Sequence, residues 1–181
     1  IVKEMTELLT LDLVKKNLIT SKMVLTIGYD IENLTNPEIS KSYFGEITVD
    51  QYGRKVPKAA HGTINIDHKT SSTKIITDYV MNLYESIINK KLLVRRINIT
   101  AEDVVNEDDY KNNKKFEQID LFIDYNEIEK QQKKEKLEKE LQKAVLDIKT
   151  KYGKNAVLKG MNFIEGGTTI ERNGQIGGHK S

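Results

Sequence analysis

Arg95 and Arg96 stand side by side in the stretch LLVRRINIT. Of 29 basic residues only four are arginine, namely Arg54, Arg95, Arg96 and Arg172. A chain that defaults so heavily to lysine keeps arginine where the planar, two-pronged guanidinium matters, as in gripping a phosphate or a carboxylate. In a strand, adjacent side chains point to opposite faces, so only one of the pair can look toward a given side. Asn98 and Thr100 follow Arg96 at two-residue spacing, which makes a polar stripe able to hydrogen-bond phosphates. A second group lies in HKTSSTK, where Thr70, Ser71 and Ser72 supply hydroxyls and Lys69 and Lys74 supply charge. They stand at the start of a predicted helix, whose free N–H groups attract anions. A sheet face solvated by chance, with Arg96 paired to a nearby acid, fits the same residues equally well.

Acid–base or nucleophilic chemistry finds little support. His61, His68 and His179 lie in unrelated contexts with no ligand spacing among them. The paired carboxylates of EDDY (107–110) sit in a polar run where water keeps them ordinary. The GG pairs at 166–167 and 177–178 lack the strand–turn–helix setting of a phosphate loop. A different signal is QIDLF, with Gln118, Ile119, Asp120, Leu121 and Phe122 between the hydrated runs NEDDYKNNKK and EIEKQQKKEKLEKE. Such an apolar pair is either a short strand tucked onto a core or a plug for another protein.

Composition bounds what can position these groups. The 181 residues suit one ordinary domain, or a domain plus an appendage, at 38% hydrophobic and 31% charged residues. A net charge of +2 does not by itself mark a nucleic-acid binder. No cysteine is present, which excludes disulfides and thiolate metal sites and suits a reducing cytoplasm, the expected location. No apolar run reaches the length of a membrane span, so no membrane partner is expected. The chain opens at Ile1, directly in a helical pattern, as expected of a fragment of a longer protein.

The pattern predicts a helix over 2–18, a strand over 22–31, a hairpin turning near QYGR, a strand over 61–67 and a helix over 70–89 capped by Thr70 or Ser71. A strand over 92–100, a hydrated loop over 106–115 and a helix from 126 to 151 follow, and the glycine-rich end reads as an extended tail. In the last helix Leu137, Leu141, Ala144, Val145, Ile148 and Tyr152 form an apolar stripe that something should cover. The expected fold is α+β: a small antiparallel sheet of about four strands with helices on one face, plus a C-terminal helix and tail. Nothing in the sequence is left to cover the other sheet face.

The stretches YGRKVPKAAHGTINIDHKTSSTKII and YGKNAVLKGMNFIEGGTTIERNGQIGGHKS, with the opening helix, resemble the C-terminal portion of Y-family translesion DNA polymerases. More specifically, they resemble the ultraviolet-damage-repair polymerases of Gram-positive bacteria and their mobile elements, over nearly all of the chain. The resemblance implies a little finger DNA-binding domain at 1–105, a flexible loop with a clamp-binding motif at 106–125, and a C-terminal helix and tail at 126–181. It implies primer–template DNA as partner, gripped by Arg95, Arg96, Asn98, Thr100, Thr70, Ser71, Ser72 and Lys74. Relatives often carry glycine where Asn98 stands. QIDLF is similar to the bacterial sliding-clamp pentapeptide, with Leu121 and Phe122 as apolar anchors and Gln118 as a directional contact. Catalysis with magnesium belongs in this family to a preceding domain, so no cofactor is expected here and this fragment is not expected to be an enzyme. The alternative is a stand-alone protein-interaction module with a coiled-coil-like C-terminal helix.

Overall fold

A computed structural model describes residues 1–114, 125–176 and 179–180. In chain order the elements are α1 (Val2–Lys15), β1 (Leu18–Tyr29), α2 (Glu32–Thr35), α3 (Pro37–Ser40), β2 (Ile47–Val49), β3 (Lys55–Pro57) and β4 (Ala60–Thr70). Then come α4 (Thr73–Ile87), β5 (Val94–Glu102), β6 (Val105–Asn106), α5 (Glu107–Lys114) and α6 (Tyr125–Tyr152). A tight turn at Gly160–Asn162, α7 (Thr169–Asn173), β7 (Gln175–Ile176) and β8 (His179–Lys180) complete the described chain.

The architecture is α+β, as the sequence predicts. Long β1 is the central strand of an antiparallel sheet, flanked by β4 and β5, while two-residue β6 pairs with its first residues. Alternation in β1 puts Met23, Leu25, Ile27 and Tyr29 on one face, all buried. Helices α1 and α4 cover that face, α1 with Val2 and Leu13, α4 with Ile76, Val80 and Leu83. Helix α4 lies close to the sheet because Gly62 has no side chain; a Cβ there would stand 2.8 Å from Leu83 Cδ1. The predicted hairpin turns at Gly53, whose φ of 76° favours glycine, but β2 and β3 form a separate two-stranded ribbon.

Three expectations are corrected. Residues 107–114 are the helix α5, not a hydrated loop, because Asn106 Oδ1 accepts from the amides of Asp108 (3.0 Å) and Asp109 (3.3 Å). An asparagine cap followed by three acids suits the positive end of a helix. The cap of α4 is Ser72, whose Oγ accepts from Ile75 N at 3.2 Å, not Thr70 or Ser71. Where the glycine-rich end begins, the chain is folded rather than extended: Glu4 of α1 is buried and accepts from Asn162 Nδ2 (3.0 Å) and from the amides of Thr168 (3.1 Å) and Thr169 (3.3 Å).

Helix α6 also packs differently from its apolar pattern. Leu137, Leu141, Ile148 and Tyr152 are exposed, whereas Gln142 is buried. The docking side carries Glu135, Glu138 and Gln142, about a quarter turn around the helix from that stripe. Among the described residues, no helix is long and apolar enough to cross a membrane.

Candidate nucleic-acid interface

Among the described residues, nothing covers the sheet face opposite α1 and α4. Its residues follow from the register, which sets Arg96 beside Gly28, Asn98–Thr26–His61 in one row and Thr100–Val24–Thr63 in the next. The last row is Glu102–Lys22–Asn65. Arg96, Asn98, Thr100, His61, Thr63 and Asn65 are all exposed. Strand alternation has thus delivered the predicted polar stripe to an uncovered face, flanked by a second stripe on β4.

Partners within the face decide what is left for a ligand. Lys22 is spent on Glu102, at 2.6 Å, and Thr26 Oγ1 bonds His61 Nδ1 at 2.9 Å. Arg96 Nε donates to Asn98 Oδ1 at a long 3.3 Å, and among the described residues no carboxylate pairs with its guanidinium. Beside it Gly28 offers no side chain to screen it. Among the described residues the face therefore combines one cation free of acids with a field of neutral donors, a composition that suits phosphate oxygens.

Arg95 shares a face with Ile97 and Ile99, away from Arg96. Its Nη1 donates to Asp30 Oδ2 at 2.9 Å. The Glu32 amide and then the Arg95 guanidinium hold the Asp30 carboxyl below the usual carboxylate range. Arg54 is likewise paired, to Asp50 at 2.7 Å. The adjacent arginines thus do different things.

The α4 start is an anion site that already holds anions of its own chain. Thr70 Oγ1 donates to Glu135 Oε2 at 2.7 Å, Ser72 Oγ to Glu138 Oε2 at 2.6 Å, and Lys74 N to Glu138 Oε1 at 3.1 Å. Gln142 Nε2 donates to the Ser71 carbonyl at 3.1 Å. Burial opposes the charge on Glu135, but the bonds from His68, Thr70 and Gln131 outweigh it and leave that carboxyl below its ordinary range. Thr70, Ser71 and Ser72 are buried by this docking. The two predicted anion sites are also not together. Thr70 pairs with Thr20 and Arg96 with Gly28, so about eight residues of β1, roughly 26 Å at about 3.3 Å per residue, separate them.

Gln118 to Phe122 lie outside the described residues. Among the described residues, no group of three or more His, Cys, Asp or Glu could hold a metal ion. Sequence reasoning missed Lys22, Thr26, His61, Thr63 and Asn65 on the open face. The signal was present in the alternation of HGTIN and KMVLTIG, once the inward face had been fixed by Met23, Leu25 and Ile27.

No family model matches the chain. Over 122 residues it is 33% identical to UvrX of Bacillus subtilis (strain 168), named as a UV-damage repair protein. The match takes in 67% of this chain, less than the near-complete likeness expected from its motifs. With 25% of UvrX covered, the chain spans about a quarter of the length of the relative it matches, and it is to that part of a protein named for UV-damage repair that it is similar.

Proposed function

We propose that this chain is the DNA-gripping little finger, with C-terminal helix and tail, of an error-prone translesion DNA polymerase of the Y family. It acts in DNA repair and damage tolerance, with primer–template DNA on its open sheet and the sliding clamp held by Gln118–Phe122. The observation that carries the proposal is the polar face of β4–β1–β5, left uncovered and with Arg96 unpaired to acids among the described residues, in a chain similar to UvrX. Arg96, Asn98 and Thr100 take backbone phosphates, and Thr63 and Asn65 extend the contact across the sheet. Such contacts position a duplex without reading its sequence, which suits a polymerase that must accept damaged bases. Arg95, tied to Asp30, contributes potential at the sheet edge. Thr70, Ser71, Ser72 and the Lys74 amide reach phosphate only where Glu135 and Glu138 withdraw, whereas the exposed Lys74 side chain adds its charge as it stands. Magnesium-dependent nucleotidyl transfer belongs to a separate catalytic domain of the parent chain.

The test is fluorescence anisotropy with a labelled primed duplex. Arg96→Ala should weaken binding by about 1–3 kcal/mol, alike for unrelated sequences. Unchanged affinity for Arg96→Ala combined with Asn98→Ala would remove this face from DNA binding. A second reading, a protein-interaction module, is favoured by one feature, the exposed Leu137, Leu141, Ile148 and Tyr152 of α6. It predicts self-association or protein capture by α6 and no dependence of binding on Arg96.

A further inference from the structure

Arg172 is the one arginine the open face and its surroundings leave unexplained. It lies in ERNGQIGGHKS, a stretch the sequence singles out without a mechanism. Helix α7 carries it to a cleft of about 730 Å³ between α1, α6 and the C-terminal segment, on the side of the molecule that bears the helices. The cleft is lined by Lys15, Lys149, Lys154 and Arg172, with Leu11 and Leu146 among its apolar walls. Asp12, an acid on the cleft wall, is already bonded by Lys16 Nζ at 2.6 Å. Lys149 Nζ donates to the Lys154 carbonyl at 3.1 Å and so is held at the rim by a neutral acceptor. Arg172 Nη1 is buried and has no hydrogen-bond partner among the described residues.

A buried guanidinium nitrogen without an acceptor is costly, because its water has been removed and nothing replaces it. Four cations facing one already paired acid add to that imbalance. Among the described residues the cleft is therefore short of an anion. We propose that this cleft binds a phosphate ester of nucleotide size, its phosphates on Arg172 and the lysines, its organic body against Leu11 and Leu146. The volume falls within the range of small-molecule sites, and an apolar wall with a few convergent polar groups is their usual composition. Arginine rather than lysine at 172 fits, since its fork can bond two oxygens of one phosphate. The cleft faces away from the open sheet, so a free nucleotide rather than the groove-bound duplex is the expected ligand.

Isothermal calorimetry at low salt on the 181-residue chain tests this, with a deoxynucleoside triphosphate and inorganic phosphate as separate probes. The nucleotide should bind at least tenfold more tightly than phosphate. Arg172→Gln should lower its affinity at least tenfold. Exposed Lys15→Gln, which touches none of the packing, should lower it about threefold with an unchanged melting temperature; it keeps the test decisive should the Arg172 variant misfold. Equal affinity for the two probes would overturn the ester. No binding, or binding indifferent to both variants, would overturn the site. A primed duplex whose affinity fell with Arg172→Gln as steeply as the nucleotide's would overturn the free-nucleotide assignment.

Discussion

Replacing Glu4 by glutamine tests how the C-terminal segment is held. Glu4 is 3% exposed and its two oxygens accept from Asn162, Thr168 and Thr169. Burial alone would raise its pKa, but the bonds from Asn162, Thr168 and Thr169 overcome it and lower it from 4.5 to about 2. A depression of about 2.5 units corresponds to about 3 kcal/mol of stability at about 1.36 kcal/mol per unit. Because the folded pKa is the lower one, that stability is fully present above pH 4.5 and is lost as pH falls toward about 2. Glutamine keeps the shape but turns an NH2 toward donors, so Glu4→Gln should cost about 2–4 kcal/mol at neutral pH. Urea unfolding of both proteins from pH 7 to pH 2 reads the effect. The gap between them should hold above about pH 4.5 and close by roughly 3 kcal/mol at about pH 2. Other carboxylates titrate in both proteins and cancel in the difference. Equal stability at pH 7, or a gap that does not change with pH, would refute the reasoning.

Three further outcomes are expected. Gly62→Val should destabilise by about 1–3 kcal/mol in urea unfolding, because even its Cβ would press on Leu83 and Ile87 of α4; an unchanged midpoint would show that α4 moves freely off the sheet. Asn106→Ala should remove the cap of α5 at a cost of about 1 kcal/mol, read as faster amide exchange across 107–113 with the sheet unaffected. Exchange there as fast as in an unstructured peptide in the parent protein would contradict the helix. Leu121→Ala with Phe122→Ala should cost on the order of 3 kcal/mol or more in sliding-clamp affinity by calorimetry and leave the melting temperature unchanged. Lost stability with intact clamp affinity would make the segment a core strand instead.

The sheet and α4 were legible because their patterns are local. Period-two alternation in KMVLTIG and HGTINID, and the Ile76–Val80–Leu83 spacing of α4, each name an inward face without knowledge of the partner. The open face followed by subtraction, since every long apolar stripe but one had been assigned. What failed depended on distant or polar partners. The cap in NEDD lies in a run so hydrated that it reads as a loop. Helix α6 docks through Glu135, Glu138 and Gln142, so the apolar stripe pointed to the wrong side. The order of residues 162–169 rests on Glu4, 158 positions from Asn162, and no window along the chain connects them. The α4 start reads in the sequence as an anion site. Its immediate occupants are carboxylates of α6, a fact that only the tertiary structure supplies.

The central claim is that the uncovered face of β4–β1–β5 is the surface laid against DNA. An amide NMR titration of the chain with a primed duplex asks this directly. Shifts are expected at Lys22, Thr26, Gly28, Thr63, Asn65, Arg96, Asn98 and Thr100, which the register gathers on one face. They should fade as salt is raised, since each phosphate contact releases counterions. Shifts confined to α6 or to the cleft beside Arg172, with the open face silent, would contradict the account.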